Sequence, residues 1–238
     1  MDHPAPPLQG ATIVFDLDGT LVDTAPDLIA VLNDLLAREG LPALSLFEAR
    51  PMIGRGARVL IERGFAAAGV ALEAGRKNAL FDDFIAQYRG RIAMESAPFP
   101  GTVAALDALA HRGARLAVCT NKPTDLSLAL LEAVGLASRF AAIVGPDMVP
   151  AAKPDPRHLL AAIERAGGQA NRAVMVGDSD ADAGAARAAA VPLILVAFGY
   201  TETPARELGP DILLDSFDDL PAACARLLAP CPAKVLPL

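Results

Sequence analysis

Tryptophan is absent from the 238 residues, and the chain holds only three cysteines, three histidines and two tyrosines. Cys119, Cys224 and Cys231 are odd in number and lack metal-site spacing, which argues against a disulfide framework or a zinc centre. Cys119 closes an apolar run and reads as a small buried residue. His3, His111 and His158 fall into no partner pattern and receive no role. No apolar stretch approaches the length of a membrane span, about 20 residues. Met1–Gln9 carries three prolines and an Asp but neither the basic start nor the apolar stretch of a signal peptide, so the cytoplasm is the expected compartment. Basic charge is also short. A net charge of −7 repels nucleic acid and anionic lipid on average, which excludes both as expected partners. The sequence leaves the oligomeric state open.

Aliphatic residues are what the chain has in quantity, enough for one large domain or a core with a smaller insert. Ala11–Phe15 (ATIVF) reads as a buried parallel strand ending at Asp16. Similar runs recur at Ala114–Cys119, Ala141–Val144, Ala173–Val176 and Leu193–Ala197, with a shorter one at Ile212–Leu214. Helical periodicity fills Thr124–Val134, Pro156–Ala166 and Asp180–Ala189 between them. Strands alternating with helices of that length predict an α/β fold with a Rossmann-like, mostly parallel sheet. One interval breaks the rhythm. Between Asp23 and Pro98 the pattern is helical, with no convincing strand. Leu28, Val31, Leu32, Leu35 and Leu36 form a stripe behind Thr24 as N-cap and ahead of Gly40. Ser45 and Glu48 are spaced as a capping box. Further helices are expected over Ala57–Ala68 and Glu73–Met94. The expected organisation is therefore a core of residues 1–23 and 98–238, with a helical cap of residues 24–97 inserted after the first strand. Ala229–Leu238 reads as a frayed tail.

Ligands of open α/β sheets bind beyond the carboxyl ends of the strands. The first strand is followed there by Asp16-Leu17-Asp18-Gly19-Thr20, the second by Thr120-Asn121-Lys122-Pro123. The loop after the third leads to Lys153-Pro154, and the fourth ends in Gly177-Asp178-Ser179-Asp180-Ala181-Asp182. Asp16 and Asp18 share a side in extended geometry, and Asp178 and Asp182 share a helix face. Carboxylates crowded together repel one another. Mg²⁺ held by one to three of them, with waters and a substrate phosphate, relieves that repulsion. Lys153 and the Thr120 hydroxyl are suited to the remaining phosphoryl oxygens, with backbone N–H groups near Asn121 and Gly19 assisting. Taken singly, each element has an ordinary explanation as a turn, a helix cap or a surface pair. Four in this order, each after a buried strand, point to one site. The spacing and closing Glu of an EF-hand are missing.

DLDGTLVD at Asp16–Asp23, CTNKP at Cys119–Pro123, KPDP at Lys153–Pro156 and GDSDAD at Gly177–Asp182 resemble the four motifs of the haloacid dehalogenase-like hydrolase superfamily. The likeness covers nearly the whole chain, and the helical insert falls where that family carries its cap. Ile53–Gly64, Gly145–Pro156 and Phe198–Ser216 look most like the phosphoglycolate phosphatase group. Ala190 departs from relatives, which often carry Gly before Val-Pro. The resemblance implies that Asp16 attacks phosphorus and forms an aspartyl-phosphate, while Asp18 protonates the leaving alcohol and then activates water. It implies Mg²⁺ on Asp16, the Asp18 carbonyl and Asp178, with Asp182 acting behind them or through water. Thr120 and Lys153 would bind the phosphoryl group, and Asp180 would be a solvated helix-face charge. The cap would select the alcohol. Gly54-Arg55-Gly56 is a candidate substrate loop, in which Arg55 either pairs with a substrate carboxylate or is a solvated helix-start residue. Lys122 is a second candidate cation.

The implied substrate is a small phosphorylated metabolite, with 2-phosphoglycolate leading and sugar phosphates, nucleoside monophosphates and pyrophosphate as alternatives. A phosphomutase would share the core motifs. A non-catalytic binding module would be expected to have lost a key carboxylate or the lysine. A dehalogenase would lack Asp18, because a halide leaves without a proton.

Overall fold

The computed structural model describes residues 8–229. Most of the expected tail lies outside them, as do Cys231, His3 and the first seven residues of the N-terminal stretch. In chain order the elements are β1 (Thr12–Phe15), β2 (Val22–Asp23), α1 (Ala25–Arg38), α2 (Leu46–Ala49), α3 (Ala57–Ala67), α4 (Ala74–Arg89) and β3 (Ala97–Pro98). Then follow α5 (Thr102–His111), β4 (Arg115–Cys119), α6 (Thr124–Ala133), β5 (Ala142–Val144), α7 (Pro156–Arg165), β6 (Ala173–Gly177), α8 (Asp180–Ala189), β7 (Leu193–Val196), β8 (Ile212–Leu214) and α9 (Leu220–Leu228).

Six strands form one sheet in the order β5-β4-β1-β6-β7-β8, and every pairing is parallel. The expected α/β fold is what the chain adopts. Alternation along the strands divides the core between two faces. Ile13, Phe15, Leu116, Val118, Val174 and Val176 pack with Leu106 and Leu109 of α5 and Cys224 of α9. Val14, Ala117, Cys119 and Met175 pack with Leu159 and Ile163 of α7 and Ala185 and Ala186 of α8. From β1 the chain builds outward to β4 and β5, then returns to the other side of β1 with β6. That switch of direction leaves a crevice at the carboxyl ends of β4, β1 and β6.

The interval between β2 and β3 contains only helices. The predicted α1 stripe is buried throughout, and it packs with Leu60, Ile61 and Phe65 of α3 and Leu80, Phe84 and Tyr88 of α4. The Ser45–Glu48 capping box is present. Three expectations need correction. The helix expected to reach Met94 stops at Arg89, where Gly90 takes the C-cap. Helices α5 and α9 were not anticipated. Helix α5 is rich in alanine and leucine with little polar–apolar contrast, whereas α9 is clearly two-faced and is simply short and close to the expected tail. Finally, the ends of the insert are strands: Val22 pairs with Pro98 and Asp23 with Ala97, antiparallel. Two residues are too few for alternation to register. The buried Asp27 carboxylate reinforces this closure by accepting hydrogen bonds from the Glu95 and Ser96 N–H groups and the Ser96 hydroxyl.

Candidate active site

In-register pairing of β1 with β4 and β6 sets Asp16 beside the ends of both neighbours. The Asp16 N–H donates to Val176 and the Thr120 N–H to Val144, so both residues are held by the last rungs of the sheet. Asp16, Thr120, Asp178, Asp182 and Lys153 are all buried. Lys153 Nζ stands 2.8 Å from Asp16 Oδ1 and 2.7 Å from Asp182 Oδ1. The other Asp182 oxygen accepts from Asp178 N–H, Ser179 N–H and the Ser179 hydroxyl. One carboxylate thus opens helix α8 and fixes the lysine. Asp178 accepts from the Thr20 hydroxyl at 2.9 Å and from the Tyr200 N–H at 2.6 Å.

Packing around Asp178 is tight. Gly19 has φ +86°, and a Cβ there would meet Asp178 Oδ2 at 2.5 Å. At Gly199 an added Cβ would lie 2.1 Å from Asp178 Cβ. Both positions exclude a side chain, and Gly19 also requires the left-handed region.

Burial pushes the Asp16 carboxyl up to about 7, with Lys153 opposing and Asp182 and Asp18 adding to the rise. Asp178 is raised well above the carboxylate range by burial and by Asp182 and Asp16. Burial alone would lower Lys153, but Asp16 and Asp182 reverse this and hold it protonated. Asp16, Asp178 and Asp182 each offer an oxygen within 4.8 Å of the others. With Asp18, four carboxylates face the two ammonium groups of Lys122 and Lys153. An all-oxygen, buried, over-negative set fits a hard divalent cation.

Asp18 lies at the other side of the crevice, its Oδ1 3.1 Å from Lys122 Nζ. Asp16, Asp18, Thr120, Asn121 and Lys122 line a cavity of about 40 Å³ roofed by Leu28, Leu60, Phe84, Ile85 and Tyr88 of the insert. The Asn121 side-chain amide donates to the carbonyls of Gly54 and Lys153, which bridges insert and core. Arg55 is not in this chamber. It pairs with Asp180 across the rim and lines a more open cavity of about 360 Å³, which Lys153 also touches. Asp180, expected to be a solvated charge, is that partner and remains half exposed.

Several residues escape the sequence reading. His158 is buried, accepting from the Lys153 N–H through Nδ1, with Nε2 3.0 Å from the Val144 carbonyl. Burial and Lys153 lower it to about 4, so it is a neutral brace for the lysine loop. Its place five residues after Lys153, at a helix start, is the one available signal. Tyr200 joins Asp178 to the insert: its hydroxyl donates to Asp23 and accepts from the Ala25 N–H. Cys119 is buried as expected, and that burial pushes its thiol up to about 12, which leaves it unreactive.

A family model of haloacid dehalogenase-like hydrolases matches residues 11–190. The chain belongs to that family. Among relatives of this hydrolase is the phosphoglycolate phosphatase of Caulobacter vibrioides, 58% identical over 95% of each chain. That of Agrobacterium fabrum is 48% identical over 91% of this hydrolase and 93% of its own length. The crystal structure of a predicted phosphoglycolate phosphatase from Haemophilus somnus superimposes with a TM-score of 0.83 at 31% identity, covering 91% of this hydrolase and 98% of that chain. Among the described residues no helix is long and apolar enough to cross a membrane.

Proposed function

We propose that this hydrolase is a Mg²⁺-dependent phosphatase of small phosphate monoesters, 2-phosphoglycolate first among them, acting in the cytoplasm. The observation that carries the reading is a buried Asp16 at a strand end, set between Lys153 and the Asp178–Asp182 pair, with a second acid two residues on. The names of the relatives support the substrate, and a chamber with room for only a few water-sized groups suits a small leaving group.

Asp16 attacks phosphorus in line, forming an Oδ–P bond as the P–O bond to the alcohol breaks. Asp18 gives the departing oxygen its proton. Water then attacks the aspartyl-phosphate, Asp18 takes the water's proton, and the Asp16 Oδ–P bond breaks to free inorganic phosphate. Lys153 and Thr120 hold phosphoryl oxygens, assisted by backbone N–H groups near Gly19 and Asn121. Asp16, the Asp18 carbonyl and Asp178 would hold the cation, with Asp182 acting behind them because its oxygens already hold Lys153 and the α8 start. When bound, Mg²⁺ supplies charge neutralisation for the approaching phosphate. Residues 24–97 act as a cap over the core of 1–23 and 98–238. Cap closure would exclude water, and Arg55, which lines the outer cavity, could meet an entering anion only by giving up Asp180.

The test is phosphate release from a panel of small esters, with Mg²⁺ and with chelator. Magnesium-dependent release led by 2-phosphoglycolate is expected, with turnover lost in Asp16→Asn. Robust turnover by Asp16→Asn would overturn the mechanism. Transfer to a second hydroxyl without free phosphate would make the protein a mutase.

A further inference from the structure

We infer that Lys122 and Tyr88 form the subsite for a carboxylate on the leaving group, an inference that rests on the phosphatase reading. Asp16, Thr120 and Lys153 serve the phosphoryl end, so the other half of the substrate must meet what remains of the chamber wall. Most of that wall is apolar: Leu28, Leu60, Phe84 and Ile85. Besides Asp18 and Asn121, whose amide is taken by the Gly54 and Lys153 carbonyls, two polar groups interrupt it. Lys122 is 6% exposed, and its Nζ lies 3.1 and 3.4 Å from the Asp18 oxygens and 4.4 Å from the centre of the Tyr88 ring. Tyr88 is 1% exposed, and among the described residues its hydroxyl finds no acceptor, its polar neighbour being the Lys122 ammonium, itself a donor.

A buried phenol without an acceptor is unfavourable, and proteins seldom leave one so. Beside it stands an ammonium whose three N–H groups face only one carboxylate. Together they offer one anion two kinds of donor in an otherwise apolar pocket, which matches a carboxylate and gives nothing comparable to a neutral alcohol. The two groups also come from different layers, Tyr88 from α4 of the insert and Lys122 from the β4–α6 loop of the core. A carboxylate gripped by both ties closure of the insert to the presence of the correct substrate. Its arrival also gives Lys122 an alternative to Asp18, which frees that acid to meet the ester oxygen. Arg55, outside the chamber, cannot reach this position while paired with Asp180.

The experiment compares kcat/KM for 2-phosphoglycolate and for 2-hydroxyethyl phosphate, in which a neutral hydroxymethyl group replaces the carboxylate. Tyr88→Phe should lower the preference for phosphoglycolate about tenfold, the usual weight of one hydrogen bond to a charged group. Lys122→Met should lower it further. Equal losses on both esters would reduce the pair to a structural role and overturn the inference. Calorimetry with glycolate and Mg²⁺ needs no turnover. Binding that weakens in Tyr88→Phe supports the subsite even if the phosphatase reading fails, whereas binding indifferent to Tyr88 refutes it whatever the kinetics show.

Discussion

Without its metal, the protein should lose stability as the solution becomes less acidic, and Asp16→Asn should remove much of that loss. Asp16 is 3% exposed, and burial lifts its carboxyl from 3.8 to about 7 against the pull of Lys153. Below about pH 4 both the folded and the unfolded chain carry the proton, so the difference has no effect. Between about pH 4 and pH 7 the unfolded chain releases its proton while the folded chain keeps it, and stability falls. Above about pH 7 both are ionised and the loss is complete. The gap between 3.8 and about 7, at about 1.4 kcal/mol per pH unit, amounts to roughly 4 kcal/mol. In a domain of this size that corresponds to a fall in Tm of roughly 8–16 °C. A divalent cation held by Asp16 and Asp178 in the folded chain alone, Mg²⁺ in the proposed function, should restore the stability lost. The assay is thermal unfolding followed by circular dichroism at about pH 5 and pH 8, with chelator or Mg²⁺, for the native protein and Asp16→Asn. In chelator the native Tm should fall between the two pH values by several degrees more than that of the variant. Mg²⁺ should raise the native Tm at the higher pH and do much less for Asp16→Asn. Parallel pH dependence of the two metal-free proteins would refute the reasoning.

Two further substitutions probe the frame of the site. Ala190 has φ +53° at the end of α8, so Ala190→Gly should stabilise the protein by about 1 kcal/mol in urea titration. No gain would mean that local packing outweighs the backbone strain. Gly199→Ala drives a Cβ into Asp178 and should weaken metal affinity and turnover at least tenfold, read by metal titration of activity. Unchanged metal affinity would show that Asp178 is not a ligand.

The grouping of the candidate site was legible because its residues sit at strand ends, where a run of apolar residues stops and a polar pair begins. Asp16, Thr120 and Asp178 follow β1, β4 and β6 directly, and position along the chain is then position in the crevice. The unread parts depend on contacts across long separations. Lys122 meets Asp18 at a separation of 104 residues, and Tyr200 meets Asp23 at 177. No local pattern encodes such a pair. Tyr88 is the plainest case. On its helix it completes an apolar stripe with Leu80 and Phe84, and only the fold shows it lining the chamber beside Lys122. Arg55, left open between a substrate carboxylate and solvent, gains a partner no local pattern showed, Asp180 at the rim.

The scarcity of aromatic groups has an optical consequence. With no tryptophan, near-ultraviolet emission rests on two tyrosines. Tyr88 roofs the chamber under the Lys122 ammonium, and Tyr200 bridges the Asp178 carboxylate and the base of the insert. Both tyrosines therefore sit at the candidate site, with none elsewhere to dilute their signal. If the proposed function holds, tyrosine emission is an unlabelled probe of cap closure and cation binding, and replacing either tyrosine by phenylalanine assigns the signal to the chamber roof or to the Asp178 bridge.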